Sequence, residues 1–200
     1  MLYSTSMTSQ VVSDFTTISS NTGCGSLVVE FQDLSTGSPD TWSWDFGNGN
    51  VSNLQNPIAV YTDPGVYTVK LTVSDLNSYD DKTMVDLIEV YHNPSSSFNQ
   101  NLTEVCATSL IDFSDQSISN SNIINWMWDF GDGGNSNLEN PVYQYNNSGI
   151  YTVSLSIEDN KGCQDIIVMN DLIDVKSIPD ADFTSDINIS CDTNKIINFT

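Results

Sequence analysis

Short runs of strictly alternating apolar and polar side chains recur along this chain. Val69, Leu71 and Val73 alternate with Lys70 and Thr72, while Val153, Leu155 and Ile157 alternate with Ser154 and Ser156. Residues two apart share one face of an extended strand, so each run predicts a strand with a buried face and a wet one. Weaker alternation predicts strands over residues 11–18, 26–34, 57–61 and 83–91, with a short edge at 51–54. Asp63-Pro64-Gly65 and Leu76-Asn77-Ser78 have the composition of turns. No segment shows the 3.6-residue period of an amphipathic helix, so the expectation is an all-β chain.

The pattern also repeats at long range. Trp42-Ser43-Trp44-Asp45-Phe46-Gly47-Asn48-Gly49 returns 84 positions later as Trp126-Met127-Trp128-Asp129-Phe130-Gly131-Asp132-Gly133. In both copies the aromatics sit two apart and so point to one face, before a glycine-flanked turn where positive φ is tolerated. Asn56-Pro57, Tyr61, Gly65 and Tyr67 return in register as Asn140-Pro141, Tyr145, Gly149 and Tyr151. Solenoid repeats usually run about 20–50 residues, so a period this long defines a domain. Seven strands per copy predict a two-sheet sandwich. Residues 11–92 and 95–177 are the expected domains, and 180–200 the start of a third, because Phe183, Cys191 and Phe199 echo Phe98, Cys106 and Phe113. Residues 92–97 and 177–180 read as short, slightly flexible connectors.

The order W-x-W-D-F-G-(D/N)-G, then N-P, then Tyr, then G-x-Y-T-V-x-L-x-(V/I)-x-D resembles the polycystic-kidney-disease-type (PKD) repeat. The resemblance implies tandem immunoglobulin-like, seven-stranded β-sandwiches of the kind found in extracellular proteins such as bacterial collagenases, archaeal surface-layer proteins and large bacterial cell-surface proteins. Trp42, Trp44, Asp45 and Phe46, with Trp126, Trp128, Asp129 and Phe130, are then the core motif. Asn48 departs from the usual Asp of that motif, which weakens a side-chain role there but leaves the turn.

Composition narrows the function. Five Lys+Arg against 26 Asp+Glu give a net charge of −21, which argues against nucleic acid or an anionic membrane as partner. With 38% hydrophobic residues in ordered alternation, the chain is not a disordered acidic tail. No stretch is apolar enough for membrane insertion, and residues 1–10 lack the basic and apolar regions of a signal peptide. Either a signal was removed or residue 1 lies inside a longer polypeptide, and the third repeat that breaks off at Thr200 makes the second the expectation.

Cys106 precedes the second strand of its domain and Cys163 lies in the hairpin after the long strand. Those places can adjoin within one sandwich, so a structural Cys106–Cys163 disulfide is expected, worth roughly 4 kcal/mol on the chain-entropy model. Cys24 occupies the matching place in domain one, where Tyr79 stands near the partner position, and is expected to be unpaired. Cys191 would pair beyond residue 200. Disulfide use points to an oxidising, extracellular or cell-surface location.

Candidate chemistry is sparse. The single histidine, His92, lies in a connector, which leaves a Ser/His/Asp or Cys/His nucleophile without its base. Asp45 and Asp129 are expected to accept backbone N–H bonds beside their turns rather than form a catalytic carboxylate pair. No cofactor is expected; calcium is the one cation to weigh, with Asp129, Asp132, Asp159 and Asp80-Asp81 as oxygen donors, although no EF-hand loop occurs. Sequons at Asn50, Asn101, Asn146, Asn188 and Asn198 are what chance yields in so Asn- and Ser-rich a chain. The expected function is therefore a non-catalytic extracellular spacer with adhesive capacity, its partners the neighbouring repeat domains and extracellular polysaccharide or protein. The alternative is a carbohydrate- or protein-binding accessory module of a secreted enzyme, with Tyr3, Tyr79, Tyr91 or Tyr143 stacking on sugar; Tyr143 is the better candidate because its counterpart is Ala59.

Overall fold

The computed structural model describes residues 10–177, so Tyr3, Cys191 and the expected third repeat lie outside the described residues. The first module comprises β1 (Phe15–Thr17), β2 (Thr22–Cys24), β3 (Leu27–Asp33), β4 (Thr41–Asp45), β5 (Val51–Ser52), β6 (Ile58–Tyr61), β7 (Gly65–Ser74) and β8 (Tyr79–Tyr91). The second comprises β9 (Phe98–Gln100), β10 (Glu104–Cys106), β11 (Leu110–Asp115), β12 (Ile123–Asp129), β13 (Asn135–Ser136), β14 (Val142–Gln144), β15 (Gly149–Asp159) and β16 (Gln164–Lys176). Each is all-β, with a three-stranded sheet (β1-β3-β6; β9-β11-β14) and a five-stranded sheet (β2-β8-β7-β4-β5; β10-β16-β15-β12-β13).

The inward face of each strand is the alternation read from the sequence. Val69, Leu71 and Val73 are wholly buried, as are Val153, Leu155 and Ile157. Trp44 projects from β4 into a cage of Phe15, Phe31 and Phe46, with ring centroids 5.0, 5.4 and 6.1 Å away. Trp128 sits likewise among Phe98, Phe113 and Phe130 at 5.0, 5.6 and 6.3 Å. These large rings let a domain of this size bury enough apolar surface to fold. The buried indole N–H groups stay satisfied, Trp44 Nε1 donating to the Leu54 carbonyl at 2.8 Å and Trp128 Nε1 to that of Leu138 at 2.9 Å.

Two features differ from the sequence expectation. An eighth strand, β2 or β10, runs parallel to the end of the last strand, with Cys24 opposite Tyr91 and Cys106 opposite Lys176. It is three residues long, too short to show alternation. The segment expected to be a flexible connector is also largely absorbed into the second module. Ser95 pairs with Ile118 through two backbone hydrogen bonds, and both the N–H and the hydroxyl of Ser96 donate to Asp165 Oδ2 at 2.7 Å. Pro94 is buried, and only His92 and Asn93 remain as exposed residues between Tyr91 and that anchor.

Candidate functional site

The repeated motif is a structural unit. Trp44, Phe46, Trp128 and Phe130 are core, whereas Trp42 and Trp126 are half-buried and donate through Nε1 to Asp33 and Asp115 at 2.8 Å. Burial alone would raise the Asp33 carboxyl, but hydrogen bonds from Ser35, Gln55 and Trp42 outweigh it and hold the group below its usual range. Asp45 and Asp129 face solvent and each accepts the N–H two residues on, from Gly47 and Gly131, at 2.9 Å. Those glycines have φ of 75° and 83°, and a Cβ there would lie 2.4 and 2.3 Å from the carbonyls of Thr68 and Thr152. The turn closes over the long strand, and Tyr61 and Tyr145 pin it by donating to the carbonyls of Phe46 and Phe130 at 3.1 and 2.9 Å.

The cysteines overturn two expectations, the Cys106–Cys163 pair and an unpaired Cys24. Cys163 is bonded to Cys24, not to Cys106, with Cα atoms 5.6 Å apart and a sequence separation of 139. The expected Cys106–Cys163 pair is absent: Cys106 is an exposed free thiol. Cys106 lies opposite Lys176 at the end of β16, whereas Cys163 precedes the start of that 13-residue strand. At about 3.3 Å per residue the two ends of β16 are roughly 40 Å apart, far beyond the span of a disulfide. Cys24 ends β2 of the first module, so the bond joins the two modules.

The hairpin carrying Cys163 is rigidly built. Asp159 is buried, its Oδ1 accepting the N–H groups of Lys161 and Cys163 at 2.9 and 3.0 Å and its Oδ2 the hydroxyl of Ser119 at 2.9 Å. In the first module Ser74 pairs with Tyr79, and in the second Glu158 pairs with Gln164, so the second hairpin is one residue longer and Cys163 takes the place of Ser78 rather than Tyr79. Lys161 of this hairpin reaches back to the first module. Its Nζ lies 4.5 Å from the centre of the Tyr91 ring and 4.0 Å from Glu89 Oε1, and the Tyr91 hydroxyl donates to Glu89 Oε2 at 3.0 Å. A disulfide, a cation over an aromatic ring and a carboxylate therefore meet at one junction, beside an open cleft of about 260 Å³ that His92 also lines.

The remaining candidates do not assemble into a site. Asp132 Oδ1 accepts the Gly134 N–H and the Tyr143 hydroxyl, Asp80 accepts the Ser13 N–H, and Asp81 pairs with Lys70 at 3.1 Å. Among the described residues no three His, Cys, Asp or Glu side chains converge as metal ligands. Tyr143 has one face stacked on Phe130 at 3.8 Å and Tyr91 has one face beneath Lys161, so each keeps at most one face for a ligand; Tyr79 is exposed.

The family model of the PKD domain matches residues 13–90 and again 92–173. The chain belongs to the PKD-domain family. Among curated relatives, the microbial collagenase of Vibrio alginolyticus is 46% identical over 43 residues, 22% of this chain and 5% of that protein. The pre-pro-metalloprotease PrtV of Vibrio cholerae is 40% identical over 47 residues, 24% of this chain and 5% of that protein. This chain thus spans about one-twentieth of the length of either. Among solved structures, the PKD1 domain of Vibrio cholerae metalloprotease PrtV is 26% identical, covering 41% of this chain and 98% of that one, with a TM-score of 0.37. The PKD1 domain of Vibrio anguillarum Epp is 24% identical over 43% of this chain and 99% of that one, at 0.38.

Both PKD modules carry the shared motif in their cores, and the positions where the two copies of its tryptophan segment differ, Ser43 against Met127 and Asn48 against Asp132, lie away from the junction. The junction residues Cys24, Glu89, Tyr91, Lys161 and Cys163 lie outside the motif. The available signals were the one-residue lengthening of the second hairpin and the matching places of Cys24 and Cys106.

Proposed function

We propose that this chain is a non-catalytic segment of a longer extracellular or cell-surface protein, in which PKD modules act as spacers held at a fixed junction. The observation that carries this reading is the Cys24–Cys163 bond between modules, reinforced by Lys161 on Tyr91. A connector as short as His92-Asn93 already limits relative motion; a covalent bond beside it, from Cys24 opposite Tyr91 to Cys163, is a second link that restricts the hinge further. Disulfide use fits an oxidising compartment, and a charge of −21 keeps such a protein soluble. Small-angle scattering with and without reductant tests the reading. Oxidised protein should fit a single inter-module arrangement and reduced protein a broadened set; identical curves would contradict it.

A role as a binding module for polysaccharide or protein draws on one surface feature of the second module. An open groove of about 440 Å³ is lined by Trp126, Met127, Leu138 and Glu158 among others, with Met127 and Leu138 exposed. Retention on an insoluble polysaccharide that Met127→Asp abolishes would favour this reading, and lack of retention on any polymer tried would favour the plain spacer.

A further inference from the structure

We propose that Cys106 is the attachment point for the hairpin cysteine of a following module of this kind, so that the cross-module bond recurs along the polypeptide. The proposal rests on the spacer reading and adds how successive modules are fastened. Cys24 and Cys106 occupy one place in the fold, each ending the short parallel strand beside the end of its module's last strand. In that place Cys24 is bonded to the next module's hairpin, whereas Cys106 is exposed and free. Asp174 stands where Glu89 does, opposite Glu104 as Glu89 is opposite Thr22, so the carboxylate that receives a hairpin residue is also present. The sequence continues in step: Pro179, Phe183 and Cys191 follow Lys176 at the spacings at which Pro94, Phe98 and Cys106 follow Tyr91.

One difference sets this attachment point apart from the first. Lys176 takes the place of Tyr91 and is paired with Asp174 and with Glu104 at 3.7 Å. A lysine at the tip of the incoming hairpin would meet no aromatic face there, and would find Lys176 already paired with both carboxylates. The cation–aromatic contact of the first junction therefore has no counterpart at Cys106, and a lysine in the place of Lys161 is not required there. Formation of the bond needs a disulfide oxidant, either a dithiol-carrier protein in its oxidised form or a small-molecule disulfide. The Cys106 thiolate attacks one oxidant sulfur and releases the other as a thiol, and the hairpin thiolate then displaces the second. The two protein thiols lose two electrons and two protons, which reduce the oxidant disulfide to two thiols.

The test inserts a second copy of residues 92–176 between Lys176 and Ser177 of the full chain, once unchanged and once with Lys161→Glu in the inserted copy. After oxidation with a glutathione disulfide mixture, thiol labelling and peptide mapping should find Cys106 joined to the hairpin cysteine of the inserted copy. Labelling of Cys106 should fall several-fold in both versions. Should the inserted module fold poorly, the full chain with Cys24→Ser offers its own released Cys163, and Cys106–Cys163 bonds between molecules are expected. Cys106 fully labelled in both folded proteins would overturn the proposal. The Cys24–Cys163 bond in the inserted chains separates the two failures: if it is present while Cys106 stays free, only this inference falls, and if it too is missing, the spacer reading falls.

Discussion

The two modules match where they hold themselves together and differ where they meet. Trp44 and Trp128 donate to equivalent carbonyls ten residues on, and Tyr61 and Tyr145 donate to the carbonyl fifteen residues back. Asp86 and Asp171 share φ of 53° at the same irregularity in the last strand, each donating its N–H to a threonine hydroxyl of the long strand. At the ends the likeness stops. Ser78 stands where Cys163 does, Tyr91 where Lys176 does, and Cys24 is bonded while Cys106 is free. The core defines a module, and the residues at its ends decide what it is joined to.

The equivalence of the cores can be broken most strongly at the tryptophans. Trp44→Ala and Trp128→Ala should each cost about 3–5 kcal/mol, enough to unfold the affected module, measured by denaturant titration. Clearly unequal losses would show that the two cages are not equivalent. A smaller effect is expected from Tyr61→Phe and Tyr145→Phe, about 1–2 kcal/mol each, because the buried carbonyls of Phe46 and Phe130 lose their donor.

Alkaline pH sharpens the comparison from the other side. Burial raises the phenols of Tyr61 and Tyr145 above their ordinary value of 10.0, and neighbouring phenols and carboxylates add to it. Tyr143, which has Ala59 as its counterpart, is pushed up to about 12 by burial and then by Asp132. These groups stay protonated in the folded protein at a pH where the unfolded chain has begun to ionise them. Their stabilisation is complete below pH 10 and is lost as pH rises through 10 toward the folded values. Midpoints of denaturation should fall over that range, more for the second module than for the first. The smallest effect is at the junction: Lys161→Ala should cost less than about 1 kcal/mol, since the lysine and Glu89 are both partly exposed. It should be read as a change in the environment of Tyr91 rather than as a change in stability.

The sandwiches were legible because alternation is a local property of a strand. Val69, Leu71 and Val73 face inward for the reason that predicts it, and the tryptophan cages follow from aromatics placed two apart. The junction was not legible, because it depends on how two folded bodies dock. Spacing within one module made Cys106 look like the partner of Cys163, while β2, which delivers Cys24 to the bond, is too short to announce itself. Chain connectivity also hid Lys161, which reads as a turn residue and acts on a ring 70 residues away in sequence.

The disulfide pairing is the most direct test. Cleavage after the lysines at positions 70, 82, 161, 176 and 195 under non-reducing conditions puts Cys24, Cys106, Cys163 and Cys191 on four different peptides. Mass spectrometry should find the peptide that ends at Lys70 joined to the peptide that begins at Gly162, with Cys106 open to alkylation. A bond between Cys106 and Cys163 would place the staple inside the second module and contradict a fixed junction.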